Sequence, residues 1–191
     1  METFVGLLRH GQTDWNVDMR LQGISDIPLN NYGREQATTA GKVLKNSEWS
    51  RIVTSPLSRA VETARIVASA IGHEEVQHYP QLIERSFGVA EGLSYDEWRE
   101  QYKDGETAPE AESLADLTER AKQLLDSLAI DFAGETFLAV SHGALIRRLI
   151  HIVSDGELPR DGERFGNASL TTMRHDGERW SIVKYDPNPL V

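Results

Sequence analysis

Short apolar runs that alternate with helical patterns, each pair joined through a glycine- or proline-containing turn, constrain the fold of this chain most tightly. Phe4-Val5-Gly6-Leu7-Leu8, Ile52-Val53-Thr54 and Phe137-Leu138-Ala139-Val140 read as buried strands. Strands are expected over residues 3–8, 51–54 and 136–140, with a further short piece near 81–83. Helical patterns follow most of them. Residues 33–44 are Ala-rich with a polar face, and residues 56–71 begin with Ser55 as N-cap and Pro56 at the first helical position, with Gly72 behind. Ser94-Tyr95-Asp96-Glu97 is a capping-box pattern that starts a short helix toward Tyr102. Ser113-Leu114-Ala115-Asp116 has the same form, and Leu117, Ala121, Leu124 and Leu128 trace one helical face behind it. Residues 143–152 read as another helix, and residues 168–173 and 180–185 flank Asp176-Gly177 as a β-hairpin. This order predicts an α/β fold: a three-layer α/β/α domain with a mostly parallel sheet, helices on both faces and a C-terminal β-hairpin. No repeat, low-complexity tract or linker divides it, so residues 1–191 are expected to form a single domain.

Composition narrows the class of function. An apolar share of 39% and a charged share of 26% are those of a globular protein with a real core. Net charge of −10 and a pI near 5.1 argue against nucleic acid as a partner, so any anionic substrate needs a local basic site. The absence of cysteine excludes disulfides and thiolate metal sites. The chain enters its first apolar run without a basic n-region or cleavage site, and no stretch has the length of a membrane span. A cytoplasmic protein without a membrane partner is expected, as a monomer or a homodimer.

Polar and ionisable residues cluster just past the apolar runs. Leu8-Arg9-His10-Gly11-Gln12-Thr13-Asp14-Trp15-Asn16 puts a histidine, a fixed cation and a permissive glycine at the end of the first strand. Ser141-His142-Gly143 repeats strand, histidine, glycine and helix, and Ser55-Pro56-Leu57-Ser58-Arg59 places an arginine in a helix first turn, where it opposes the helix dipole. Leu82-Ile83-Glu84 adds a carboxylate. If these strands are parallel neighbours, their C-terminal ends bring Arg9, His10, Arg59, Glu84 and His142 to one crevice.

These segments resemble the histidine phosphatase superfamily, which contains cofactor-dependent phosphoglycerate mutases and related phosphatases. The match is carried, in order, by residues 8–16 with Gln22-Gly23, residues 55–64, residues 84–92 and residues 141–143. The resemblance implies that His10 is a nucleophile that becomes a transient phosphohistidine. It implies that Arg9, Arg59 and His142 clamp phosphate, that Asn16, Gln22, Gly23 and the Gly143 amide add contacts, and that Glu84 is the acid/base carboxylate. The chemistry is coherent, because phosphoryl transfer depends mostly on positioning and fixed positive charge, which arginine forks supply. No cofactor and no metal are expected, since the candidate site lacks a carboxylate cluster.

The expected activity is hydrolysis of a small phosphorylated metabolite, a sugar phosphate or a phosphoglycerate derivative, with no cofactor. Phe87-Gly88-Val89-Ala90-Glu91-Gly92 resembles the phosphatase branch, although Ala90 stands where that branch usually has an aromatic residue. The alternatives are a 2,3-bisphosphoglycerate-dependent phosphoglycerate mutase and a non-catalytic phospholigand-binding module. Asp104, Glu106, Glu110 and Glu112, against Arg99 and Lys103, are expected to leave unscreened carboxylates at the mouth, which disfavours a bisphosphate. Residues 94–112, with Tyr95, Trp98 and Tyr102, and residues 21–27 on the opposite rim are the candidate specificity region, best suited to a neutral or weakly charged leaving group. Glu91 is set aside as a neighbour that mimics Glu84. His73, His78, His151 and His175 are read as structural or surface residues.

Overall fold

The computed structural model describes residues 1–103 and 107–190. Six strands form one sheet in the order β3-β2-β4-β1-β5-β6, namely β1 (Thr3–Arg9), β2 (Arg51–Thr54), β3 (Gln77–His78), β4 (Thr136–Ser141), β5 (Leu170–His175) and β6 (Trp180–Lys184). The pairings β1/β4, β4/β2 and β2/β3 are parallel, and β5 runs antiparallel to both β1 and β6. The expected α/β architecture and terminal hairpin are present. The hairpin turn is held by the Asp176 carboxylate, which accepts from the amides of Glu178 and Arg179.

Successive side chains on the central strands point to opposite faces, and both faces are buried. Val5, Leu7, Phe137 and Ala139 pack with α5 (Leu114–Asp131) and α6 (Gly143–Val153). Leu8, Ile52, Leu138 and Val140 pack with α2 (Asn31–Leu44) and α3 (Ser58–Ile71) on the other face. Short helices α1 (Asp14–Val17) and α4 (Tyr95–Gln101) begin with full capping boxes, from Thr13 to Asn16 and from Ser94 to Glu97. No helix among the described residues is long and apolar enough to cross a membrane.

The connection from β1 leads to the α2/α3 face, whereas the connection from β4 leads to α6 on the other face. Two adjacent parallel strands that send their chains to opposite faces open a crevice at their C-terminal ends. Register completes the placement. Arg9 stands opposite Ser141, so the next residues, His10 and His142, come side by side.

Two expected elements differ. Residues 81–83 are not a strand: Pro80–Leu82 is a 3-10 turn, because Pro80 has no N–H for a ladder and its fixed φ suits a turn. The strand at this edge is the two-residue β3, whose exposed, polar Gln77 and His78 carry no apolar signal. The helix expected from Pro56 begins at Ser58 with Leu57 as N-cap, and Ser55 does not cap it. Asp26 takes over that task from another segment, accepting from the Ser58 amide at 2.7 Å.

Phe137 is fully buried on β4, with its ring centroid 4.3 Å from that of Phe132. Phe137→Ala should destabilise the protein by roughly 3–5 kcal/mol, read as a lower urea midpoint at unchanged m-value. A loss below about 1 kcal/mol would contradict this packing.

Candidate active site

His10 is 2% exposed, and its Nδ1 lies 2.7 Å from the carbonyl oxygen of Gly11. A carbonyl can only accept, so Nδ1 carries the proton and Nε2 keeps its lone pair. Burial, and then the charges of Arg59 and Arg9, hold the imidazole well below the ordinary histidine value, against a smaller opposing effect of the Gly11 bond. The ring is therefore neutral at pH 7. The turn that carries it depends on close backbone contact: a Cβ at Gly11 would lie 2.3 Å from the carbonyl oxygen of Gly33. The Gly11 amide donates to Thr63 Oγ1 at 3.0 Å, and the Thr63 hydroxyl donates to the carbonyl of Arg59 at 2.7 Å.

The His142 ring is fully buried, with its centroid 5.1 Å from that of His10. Its Nε2 lies 2.7 Å from Ser55 Oγ, which already accepts from the Leu57 amide at 3.3 Å. Among the described residues Nε2 is the one acceptor within reach of the Ser55 hydroxyl proton; with that bond made, Nδ1 is the N–H donor. Burial first, then the charges of Arg59, His10 and Arg9, also hold His142 well below the ordinary value.

Both arginines lie beside these rings and meet carbonyls rather than carboxylates. Arg9 donates through Nη1 to the carbonyl of Phe165. Arg59 is 1% exposed and donates through Nη1 to Ser25 O (2.8 Å) and through Nη2 to Gly23 O (2.7 Å). Glu62, its nearest sequence candidate for an ion pair, binds Arg34 instead at 2.6 Å. Burial lowers Arg9 and takes Arg59 down to about 10, so both remain cations at neutral pH. Arg9 Nε, Arg59 Nε and His142 Nδ1 are buried without a partner among the described residues. An unsatisfied buried donor costs roughly 1–3 kcal/mol, so this corner is built to meet acceptor oxygens.

Glu84 is 9% exposed at the N-terminus of α6. Its Oε1 accepts from the amides of Arg85 and Leu145 (2.9 Å each), and its Oε2 from that of Ala144 at 3.0 Å. The Ser141 hydroxyl, donating to Leu82 O at 2.8 Å, fastens the turn before Glu84 to the end of β4. Arg85 turns away, with its Nε 2.9 Å from the Glu112 carbonyl.

The remaining sequence candidates surround this core. Gly143 opens α6 against Arg9, where an added Cβ would stand 3.4 Å from Nε. Asn16 Oδ1 accepts from the Thr13 amide and from Asn167 Nδ2, both at 3.1 Å, and Gln22 Oε1 accepts from Thr13 Oγ1 at 2.9 Å. Gly23 serves through its carbonyl on Arg59, in a turn with φ of +55°. Trp98 and Tyr102 pack with Phe87 and Leu93 around Leu21, Ala90 and Ala108, whereas Tyr95 is exposed.

Glu112 departs from expectation. Arg120 grips its carboxylate at 2.7 and 2.9 Å, so it is not an unscreened charge. Asp104 and Glu106 lie outside the described residues. Among the described residues, no group of three or more His, Asp or Glu side chains could hold a metal ion.

The sequence assigns no role in the site to Ser55, Thr63 or Asn167, although the matching segment 55–64 contains the first two. Thr63 had a signal, being one turn beyond Arg59 on the same helix face. Asn167 sits in irregular chain before β5 and reaches the site only through tertiary structure. Its Nδ2 lies 3.1 Å from His10 O and 3.3 Å from Gly11 O.

Comparison with known proteins gives a family-level match. The model of the histidine phosphatase superfamily (branch 1) matches residues 5–187. The "Uncharacterized phosphatase PhoE" of Bacillus subtilis (strain 168) is 37% identical over 186 residues, covering 97% of this chain and 95% of that protein. The "Probable phosphoglycerate mutase GpmB" of Serratia proteamaculans (strain 568) is 35% identical over 189 residues, covering 92% of this chain and 86% of that protein. Among solved structures, a mycobacterial glucosyl-3-phosphoglycerate phosphatase superposes with a TM-score of 0.79 at 29% identity, covering 96% of this chain and 98% of that chain.

The two depressed histidines tie stability to pH. Each ring folds neutral, whereas in the unfolded chain it titrates near 6.5. Below that pH the unfolded state binds more protons, so their contribution to stability is present above pH 6.5 and declines as pH falls toward the folded values. The urea midpoint should drop between pH 7.5 and pH 5, and the drop should be smaller in His142→Asn. An equal drop in the variant would contradict the assignment.

Proposed function

This chain belongs to the histidine phosphatase superfamily, and on that premise we propose that it is a metal-independent phosphomonoesterase working through a phosphohistidine at His10. Its substrate is a small phosphorylated metabolite of the sugar-phosphate or phosphoglycerate-derivative class. It acts in the cytoplasm as one domain, residues 1–191. The observation that carries the reading is a neutral imidazole with Nδ1 bonded to Gly11 O, set among buried donors that lack partners among the described residues.

In the first half of the reaction, His10 Nε2 attacks phosphorus and the P–O ester bond breaks. Arg9, Arg59 and His142 Nδ1 bind the equatorial oxygens, where charge gathers in the transition state. Asn16, Gln22 and the Gly143 amide complete the polar wall. An alkoxide leaves poorly, and Glu84 donates the proton that turns it into an alcohol. In the second half, water attacks phosphohistidine, Glu84 takes its proton, and inorganic phosphate leaves with His10 restored. Glu84 accepts two backbone N–H bonds on Oε1 and one on Oε2. A carboxylate offers about four lone pairs, so Oε2 keeps one to carry the proton in the first half and to take it from water in the second.

The mutase reading keeps one specific support: the GpmB relative carries that name, and Arg120 removes Glu112 from the carboxylates that would repel a bisphosphate. A panel of physiological monoesters with p-nitrophenyl phosphate separates the two. Phosphate release should persist in chelator, fall at least about 10³-fold in His10→Ala, and fall about 10²–10⁴-fold in Glu84→Gln. Interconversion of 2- and 3-phosphoglycerate that needs bisphosphoglycerate and outpaces phosphate release would overturn the phosphatase reading.

A further inference from the structure

Arg59 reaches the site from α3, but the groups that aim it lie on the loop 23–25. Its two terminal nitrogens are each pinned by a carbonyl, those of Ser25 and Gly23. A guanidinium is planar, so two fixed contacts set its orientation. Whatever fixes this loop therefore aims Arg59.

The carboxylate of Glu91 meets this loop directly. Glu91 Oε1 accepts from the Ile24 amide at 3.0 Å and from the Phe87 amide at 3.1 Å. Its Oε2 accepts from the Ser25 amide at 2.8 Å and from the Ser25 hydroxyl. The neighbouring backbone is stitched independently, since Leu21 and Gly92 exchange bonds with residues 93 and 21, but those bonds stop short of residues 23–25. Local backbone support for that stretch is two 3.1 Å bonds, from the Ser25 amide to Gln22 O and from the Ile27 amide to Ser25 O, and the adjoining Asp26 is tied to the Ser58 amide at 2.7 Å; none of these reaches Gly23 or Ile24. The contact with Gly23 is close enough that a Cβ there would lie 2.0 Å from Glu91 Oε1.

We propose that Glu91 is a positioning residue for phosphate binding, acting through the carbonyls of Gly23 and Ser25 to aim the guanidinium of Arg59. The arrangement separates aim from neutralisation. A carboxylate bonded directly to Arg59 would orient it equally well and take up no more N–H groups than the two carbonyls do, but it would neutralise the charge that an incoming phosphoryl group needs. With carbonyls between them, Glu91 spends its oxygens on backbone amides and Arg59 keeps its charge for the substrate. This inference rests on the reading of Arg59 as a phosphate ligand.

The test is a double-mutant cycle on the full chain, with orthovanadate affinity measured by calorimetry and p-nitrophenyl phosphate kinetics beside it. Glu91→Ala should weaken vanadate binding by about 100-fold, because an ångström-scale misplacement of a binding group has that effect. In the Arg59→Ala background the same substitution should change it by less than about 3-fold, as expected when both residues act through one contact. If Glu91→Ala does not fold, Glu91→Gln, which keeps the volume but turns an NH2 toward amide donors, reads the same coupling with a smaller loss. Equal losses in both backgrounds, or unchanged vanadate affinity in the Glu91 variants, would overturn the inference. Wild-type protein that binds vanadate without turnover defeats the phosphatase reading alone, and protein that turns over without the coupling defeats the Glu91 role alone. Protein that neither binds vanadate nor turns over defeats both.

Discussion

The parallel register of β1 against β4 is the constraint on which the site depends. Arg9 opposite Ser141 makes the next residue of each strand a histidine, and the rings sit 5.1 Å apart. Slipping the register by one residue would reverse the facing of a strand whose both sides are buried, exposing Leu8 or Leu138 to the wrong layer. The apolar packing that stabilises the sheet thus also fixes the spacing of the catalytic candidates. Exits from these strands toward opposite faces of the sheet keep the crevice open above them.

Around that register the protein concentrates positive charge within a chain of net charge −10. Buried cations are costly unless their hydrogen bonds are met. Here backbone carbonyls meet part of the demand for Arg9 and Arg59 and leave their charge in place. The same charge disfavours protonation of the two imidazoles, so the residues that attract a phosphate also keep its proposed acceptor nucleophilic. Carboxylates stay at one remove: Glu84 is bonded to the first-turn amides of α6, and Glu91 lies behind the loop 23–25.

Much of this was legible in the amino-acid order, because long apolar strands and glycine-flanked histidines carry strong local signals. The three central strands, the terminal hairpin and the grouping of Arg9, His10, Arg59, Glu84 and His142 on one end of the sheet follow from them. Two kinds of feature did not. The edge strand Gln77–His78 has no apolar pattern, so the nearby run Leu82-Ile83 drew the assignment, although Pro80 forces a turn there. Contacts made across the fold were also hidden. Ser55 looks like a helix cap in sequence, yet its hydroxyl serves His142 from another strand, and Asp26 supplies the helix end. In sequence Glu91 resembles Glu84, and only the path of residues 23–25, which brings two amides onto it, separates them.

The central claim is that the Gly11 carbonyl holds the proton on Nδ1 of His10 and leaves Nε2 to accept the phosphoryl group. It is tested most directly by rapid quenching of turnover at high pH, followed by mass spectrometry and phosphorus NMR of the trapped protein. The account predicts one acid-labile phosphoryl group on His10, attached at Nε2 and absent from His10→Ala. A phosphoryl group at Nδ1, or on His142 or Ser55, or turnover without any phosphoenzyme, would contradict it.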